Sequence, residues 1–143
     1  MTKPKRYVKI IKKRKEVLIL ALQESGEMYL ETIYLLSKKD NHVHAINICE
    51  ELGYSKPSVS RAVGILKKDG YINVDGDSHI TLTPMGAAVA EAIYQRHIIL
   101  STFIEGLGVD AEVAARDACK IEHVISDETF NAIKRKLDGG SAQ

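Results

Sequence analysis

The segment from residue 44 to residue 83 constrains the fold of this chain more than any other part of it. An apolar helical pattern, HAINICEELG (44–53), ends at a glycine, and a second one, KPSVSRAVGILKKDG (56–70), begins only two residues later with an early proline. A proline there costs no hydrogen bond, and a glycine can end a helix in the left-handed conformation. Two short alternating segments follow in YINVDGDSHITLT (71–83), joined by a turn around DGD (75–77). This order predicts a winged helix-turn-helix.

Helical patterns flank this segment on both sides. Before it, a helix is predicted from a cap at Ser25 through the 20s and 30s to KKDN (38–41). After it, a long helix is predicted over 84–106, and two shorter ones near 111–124 and 127–137. We therefore expect a mainly α fold, in which a winged helix-turn-helix is followed by an all-helical domain.

Charge is distributed unevenly along the chain. Residues 1–15 carry eight Lys or Arg and no acid, which leaves 12 basic and 19 acidic residues, a formal charge of −7, on the rest. The basic stretch could contact DNA phosphates or could be a solvated tail, and the pattern alone leaves both open. The predicted division is a basic extension (1–22), a DNA-binding domain (23–83) and a helical domain (84–138).

Cysteine usage and hydropathy bear on the compartment. The chain has two cysteines, Cys49 and Cys119, with no CxxC spacing, which favours a reducing compartment over a disulfide scaffold. No apolar run approaches the roughly 18 residues that span a bilayer, and VLILAL (17–22) is far too short. The predicted location is the cytoplasm, with no membrane contact.

The start of the helix over 56–70 carries side chains suited to DNA. Hydroxyl and ammonium groups there can donate to phosphates, and Arg61 can make the bidentate contact that reads guanine. The polar face of an ordinary helix would have the same composition, but the complete order with the hairpin favours DNA binding. Two aspartates in the turn of the wing, Asp75 and Asp77, are unwelcoming to phosphate. The candidate DNA-binding residues are Ser55, Lys56, Pro57, Ser58, Ser60 and Arg61.

A second group of residues suggests a metal site. Cys119, Glu122 and His123 are spaced i, i+3, i+4, so a helix would place them on one face. Thiolate, carboxylate and imidazole suit a first-row transition ion, although one buried cysteine beside two surface residues would give the same spacing. Ligand-type side chains on two other predicted helices favour the metal: Met28 and Glu31 on the first helix, and His97 on the long one.

Three segments resemble the diphtheria toxin repressor family, which includes iron-dependent repressors and manganese transport regulators. They are SGEMYLETIYLL (25–36), YSKPSVSRAV (54–63) and DACKIEHVISDE (117–128), and the similarity runs from about Ser25 to Leu137. The resemblance implies a homodimer joined through the helices after the wing, so that 84–138 is a metal-binding and dimerisation domain. It also implies a metal held between the first helix and this domain, and binding to palindromic operator DNA when the metal is loaded.

Compared residue by residue with the family, this chain combines features of the iron-type and the manganese-type members. Iron-type members combine a Met, a Cys, a Glu and a His, which match Met28, Cys119, Glu122 and His123 here. Manganese-type members share Glu31, and both types use a histidine at the position of His97 in a neighbouring site. Two ligands of the iron-type ancillary site fall on Ser101 and Ala115, so that site is incomplete, and no SH3-like domain follows before residue 143. Thiolate and thioether favour Fe(II) over Mn(II), with other divalent transition ions binding in vitro.

The expected function is therefore a metal-dependent repressor of metal homeostasis genes, and not an enzyme. One alternative is a winged-helix regulator that senses a small organic ligand in its helical half. It predicts DNA binding that ignores metal and tolerates Cys119→Ala. The other is a small metalloenzyme, for which nothing in the sequence indicates a substrate.

Overall fold

The computed structural model describes residues 14–139, with side chains from Ser25 onward, so most of the predicted basic extension lies outside the described residues. The described elements are α1 (Arg14–Lys39), α2 (Ala45–Leu52), α3 (Lys56–Lys68), β1 (Ile72–Val74), β2 (Ile80–Leu82), α4 (Pro84–Gly106), α5 (Ala111–Ile121) and α6 (Asp127–Leu137). This order confirms the predicted fold class. Among these helices, none is both long and apolar enough to cross a bilayer.

The turn between α2 and α3 forms as its sequence predicts. Gly53 ends α2 with φ 71°, and its N–H donates to the Cys49 carbonyl oxygen at 2.8 Å. A left-handed φ of this kind strains any residue with a Cβ atom, so glycine fits the position. Ser55 then caps α3 by accepting from the Ser58 N–H at 3.3 Å. Helix α3 therefore starts at a defined place, with its first turn at the surface.

The hairpin is anchored to the rest of the domain on one side. Strands β1 and β2 pair antiparallel, with Val74 opposite Ile80. Val43, in the link before α2, forms an isolated bridge to Ile80, whose N–H donates to the Val43 carbonyl oxygen at 2.8 Å. Val43 and Ile80 are each 2% exposed. One side of the wing is therefore part of the core.

Helix α1 contributes to that core and also packs on α4. Leu30 and Ile33 are buried together with residues of α2, α3 and the hairpin. Further along α1, the rings of Tyr34 and Tyr94 lie 5.8 Å apart, and Lys38 Nζ lies 4.4 Å from the Tyr34 ring centre. Because α4 also packs against α5 and α6, it connects the winged half to the C-terminal helices.

Gly86 marks the place where α4 comes closest to the hairpin. It is buried in the first turn of α4, and a Cβ atom there would collide with the Tyr71 carbonyl oxygen and lie 2.9 Å from its carbonyl carbon. The same junction is held by Thr83, whose N–H donates to the Tyr71 carbonyl oxygen at 3.0 Å. Because Gly86 has no Cβ atom, the start of α4 can pack directly against the hairpin.

Two element boundaries differ from the prediction. Ser25 does not cap a helix, because α1 runs without interruption from Arg14 through Ser25 to Lys39. Strong helix formers precede Ser25 and no proline separates them from it, so the helix continues past it. At the other end of the chain, α5 ends at Ile121 rather than near residue 124. The division at 22/23 falls inside α1, and the domain boundaries stay predictions.

Candidate metal centre

Three helices bring ligand-type side chains together between the two halves of the chain. Glu31 lies on α1, His97 on α4, and Glu122 immediately after α5. One ligand atom from each lies within 4.8 Å of the others. Glu31 is 7% exposed and Glu122 is 1% exposed, so both carboxylates are withdrawn from water. Two buried carboxylates this close oppose each other unless a proton or a cation lies between them.

Histidines surround the Glu122 carboxylate on both sides. His97 Nδ1 lies 2.9 Å from Glu122 Oε2 in a hydrogen bond, and His123 Nε2 lies 3.2 Å from Glu122 Oε1. On its far side, His123 Nδ1 lies 3.5 Å from Glu27 Oε1. Together with Glu31, the arrangement therefore offers two imidazoles and two buried carboxylates at one place.

Several of these atoms lack a hydrogen-bond partner among the described residues. They are Glu31 Oε2, Glu122 Oε1 and both ring nitrogens of His123, although His123 Nε2 and Glu122 Oε1 lie near each other. Buried polar atoms are nearly always hydrogen-bonded, so four atoms at one place without a well-formed hydrogen bond call for an explanation. Carboxylate oxygens and imidazole nitrogens are ligands for a first-row divalent ion. The donor set fits such an ion.

The pKa values within the cluster follow from burial and mutual contact. Burial, together with the neighbouring Glu122, raises the pKa of Glu31 to about 8. Burial alone would raise the pKa of Glu122 as well, but its contacts with His123, His97 and Glu31 hold it well below its usual range. For His123, burial acts to lower the pKa, and contact with Glu122 and Glu27 outweighs this and raises it to about 9. Near pH 7 the cluster therefore holds protons on Glu31 and His123.

Cys119 lies outside the closely spaced group. The residue is exposed, whereas Glu122 is buried. The predicted i, i+3, i+4 face assumed that α5 continues past Glu122, but Glu122 is its capping residue and His123 lies in the following turn. Neighbouring atoms still desolvate the thiol, and together with the Glu122 and Glu31 charges they raise the pKa of Cys119. The thiol is thus near the carboxylates but is not one of the three grouped ligands.

Met28 faces the turn of the helix-turn-helix. Its Sδ atom accepts a hydrogen bond from the Tyr54 hydroxyl at 3.4 Å. Tyr54 was not predicted to have this role, and nothing in the local pattern indicates it. Glu27 was not predicted either, although it precedes Glu31 by four residues and so lies on the same helix face, which could have revealed it.

The predicted DNA-binding residues lie at the start of α3. Lys56, Pro57, Ser60 and Arg61 are exposed, and the first turn of α3 contains no acid. Ser55 and Ser58 have a local role as well, since the Ser55 hydroxyl donates to Ser58 Oγ at 2.9 Å within the cap. The exposed basic and hydroxyl groups are therefore available to a ligand in front of α3.

Comparison with known families matches both halves of the chain. Residues 21–80 match the iron dependent repressor N-terminal DNA binding domain, and residues 83–139 match the iron dependent repressor metal binding and dimerisation domain. The chain belongs to the iron-dependent repressor family. The resemblance predicted from residues 25–137 is confirmed, and because this is a family of transcriptional repressors, the metalloenzyme alternative loses its support.

Individual relatives agree with this assignment. A diphtheria toxin repressor of Corynebacterium efficiens is 34% identical over 118 residues, which cover 82% of this chain and 51% of the relative. The iron-dependent repressor IdeR of Mycobacterium tuberculosis is 33% identical over the same share of this chain and 51% of its own length. An HTH-type transcriptional regulator of Methanocaldococcus jannaschii is 34% identical over 79% of this chain and 92% of its own. The chain thus spans about half the length of the first two.

Solved structures give the same fold. The manganese regulator SloR superposes with a TM-score of 0.70 at 28% identity, over 79% of this chain and 53% of that one. A manganese-dependent transcriptional repressor in complex with manganese superposes with a TM-score of 0.72 at 28% identity, over 79% and 52%. Relatives described by iron and relatives described by manganese therefore both resemble this chain.

Proposed function

We propose that this chain is a transcriptional repressor that binds palindromic operator DNA as a homodimer when Fe(II) or Mn(II) occupies the Glu31, His97 and Glu122 cluster. The observation that carries the proposal is the group of carboxylate and imidazole ligand atoms contributed by both halves of the chain, several of which are buried without a hydrogen-bond partner. Family membership supports the same interpretation, through a DNA-binding and a metal-binding and dimerisation domain. The regulated genes would be those of metal homeostasis.

The residues proposed to hold the ion are Glu31, His97, Glu122 and His123. Cys119, near the carboxylates, and Met28, one turn before Glu31 on α1, are the further candidates. A bound divalent ion supplies positive charge and directional bonds that link α1 to α4 and to the end of α5. Glu122 orients both histidines through its two oxygens, at 2.9 Å and 3.2 Å. Glu27 contacts the outer nitrogen of His123 at 3.5 Å and so helps to set its ring.

A physical connection leads from this cluster to the DNA-reading helix. Met28 lies one turn before Glu31 on α1 and accepts the Tyr54 hydrogen bond. Tyr54 directly precedes Ser55, the cap of α3. A shift of α1 that accompanies metal binding would therefore reach the start of α3 through the hydrogen bond between Met28 and Tyr54. Coupling of this kind must be reciprocal between metal and DNA.

The homodimer is proposed from the family and from exposed apolar side chains in the C-terminal half. Ile98, Leu107 and Val124 are 40%, 68% and 54% exposed. Large apolar side chains that are exposed on one chain can be covered by contact with another chain. We also propose a cytoplasmic location, which the two free cysteines support, and the division of the chain into 23–83 and 84–138.

The experiment that tests the proposal measures metal and DNA binding on the same protein. A duplex selected from random sequence in the presence of Mn(II) would be titrated anaerobically with and without Fe(II) and Mn(II). We expect metal to strengthen DNA binding, the duplex to strengthen metal binding by the same factor, and Arg61→Ala to weaken DNA binding without changing metal affinity. DNA binding that ignores both metals would instead favour the metal-independent regulator.

Metal binding should release protons. Since the pKa of Glu31 is raised to about 8 and that of His123 to about 9, both are protonated in the metal-free protein at pH 7, yet a bound ion needs both deprotonated. Affinity for Mn(II) should therefore rise about tenfold to a hundredfold per pH unit between pH 6 and pH 8. Calorimetric titration in buffers of different ionisation enthalpy measures the released protons directly. A flat pH profile would contradict the proposed ligand set.

Preference among metals should depend on the two sulfur atoms of Met28 and Cys119. The group that lies within 4.8 Å contains only oxygen and nitrogen ligands, which suit both Fe(II) and Mn(II). We propose Fe(II) as the effector, with Mn(II) second, because Met28 and Cys119 add softer donors. The double variant Met28→Leu, Cys119→Ser should then lose about tenfold more affinity for Fe(II) than for Mn(II). Equal losses, or none, in anaerobic titrations would count against a sulfur contribution.

A further inference from the structure

The five histidines of the chain fall into two groups. His97 and His123 belong to the candidate metal centre, whereas the other three lie at the base of the wing. The ring centre of His79 lies 4.8 Å from that of His42 and 4.5 Å from that of His44. We call these three residues the wing histidine cluster.

The backbone explains why these rings meet. Val43 bridges Ile80, and both side chains turn into the core. Neighbouring side chains on an extended backbone point to opposite faces, so the residues on either side of Val43 and the residue before Ile80 share the outer face. His42 and His44 flank Val43, and His79 precedes Ile80. The same bridge that buries two aliphatic side chains therefore gathers three imidazoles at the surface.

Carboxylates accompany the cluster. Asp75 Oδ2 lies 3.2 Å from His79 Nδ1, and ligand atoms of Asp75, Asp77 and His79 all lie within 4.8 Å of one another. A histidine whose Nδ1 donates to a carboxylate presents the lone pair of Nε2, which is the usual arrangement in metal-ligating histidines. His42 is exposed and His44 and His79 are half-buried, so an ion can reach the rings from solvent.

We propose that the wing histidine cluster binds a divalent transition-metal ion of the zinc class, separately from the candidate metal centre. His79 and a wing carboxylate already lie close together, and the rings of His42 and His44, which pack beside His79, would turn toward the ion. Imidazole-rich sites with one carboxylate suit Zn(II), Ni(II) and Co(II), whereas Mn(II) prefers oxygen ligands. A bound ion would also offset the charges of Asp75 and Asp77, which otherwise oppose DNA phosphates at this turn. Only that last consequence rests on the proposed function, and the site itself does not.

The test counts ions in the full chain with Zn(II) and Co(II) as probes and without DNA. Three variants are compared with the parent. The first combines Glu31→Gln and Glu122→Gln and disables the candidate metal centre, and the second combines His42→Gln and His79→Gln. The third carries all four substitutions. His44 is left in place because it is the N-cap residue of α2. We expect two Zn(II) ions per parent chain, one in each double variant and none in the fourfold variant. The visible Co(II) bands of an imidazole-rich site should vanish only when the histidines change.

Folding is monitored by thermal denaturation of the metal-free proteins. The variant with His42→Gln and His79→Gln should have the same Tm as the parent. The proposal is overturned if the histidine pair leaves Zn(II) stoichiometry and the Co(II) spectrum unchanged. It is also overturned if the variant with Glu31→Gln and Glu122→Gln binds Zn(II) only with a Kd above about 100 µM, or does not bind it. Failure of the proposed repressor function would appear in the DNA titrations and would leave the ion bound at the wing, and its loss with the histidines, unaffected.

Discussion

Replacing Glu31 with glutamine should weaken Mn(II) binding about 100-fold and leave the metal-free fold intact. Because the pKa of Glu31 is raised to about 8, its side chain is mainly neutral at pH 7 in the metal-free protein. Glutamine reproduces the shape and the neutrality of that state, so the free energy of unfolding without metal should stay within about 1 kcal/mol of the parent. The ion, by contrast, loses a charged ligand. Calorimetric Mn(II) titration and chemical denaturation at pH 7 measure the two quantities.

Matched variants separate ligand loss from a general charge effect. Glu105→Gln removes an exposed carboxylate from the same helix as His97 and should change neither quantity. Glu27→Gln removes the outer contact to His123 and should produce an intermediate loss of affinity, about tenfold. If Glu31→Gln kept the parent's Mn(II) affinity, Glu31 would not be a ligand. If it unfolded the metal-free protein, its role would be structural.

The Gly86→Ala variant should be strongly destabilised, by about 3 kcal/mol. The added methyl group would meet the carbonyl of Tyr71, and a backbone carbonyl cannot rotate away as a flexible side chain can. Relief requires α4 to shift from the hairpin, which also displaces His97 from Glu31. Urea denaturation should show a lower midpoint, and metal affinity should fall with it.

Gly64 provides the control for this substitution. It is exposed in the interior of α3, where an added methyl group would have no neighbouring atom within 4 Å and where φ is not left-handed. Alanine there should stabilise the protein by about 0.5 to 1 kcal/mol, because it restricts the unfolded chain and favours a helix. Similar stability changes in the two variants would show that the contact between α4 and Tyr71 yields more easily than its geometry indicates.

The helices and turns were predictable where a residue type has a local consequence. Gly53, Pro57 and Pro84 each act on the backbone beside them, and the structure starts or ends helices next to all three. Ser25 was wrong as a cap because a serine is compatible with a helix interior when good helix formers precede it. Glycine and proline therefore predicted the boundaries of α2, α3 and α4 correctly, whereas serine did not predict the start of α1.

The site was predictable in its residue types and less so in its spatial grouping. Helical spacing predicted that Cys119 and Glu122 lie on one face of a helix, but the helix ends between them. The grouped ligands come instead from three different elements. The link from Arg96 to Asp127, and the Arg96 guanidinium 4.9 Å from the Phe130 ring centre, join residues more than 30 positions apart. Contacts of this range depend on how helices pack, which no pattern of spacing along the chain encodes.

Helix α1 contributes both to the core of the winged half and to the candidate metal centre, so a bound ion would affect the lifetime of the whole protein. Glu31 lies between Leu30 and Ile33, which belong to the core of the winged half. A ligand that binds only the folded state adds about 2.7 kcal/mol of stability at 100 times its Kd, and here the increment would apply to that core as well. A difference of about 1 to 2 kcal/mol can change the abundance of a protein several-fold through proteolysis of its unfolded form. Scarcity of metal would then reduce the number of repressor molecules in addition to their occupancy.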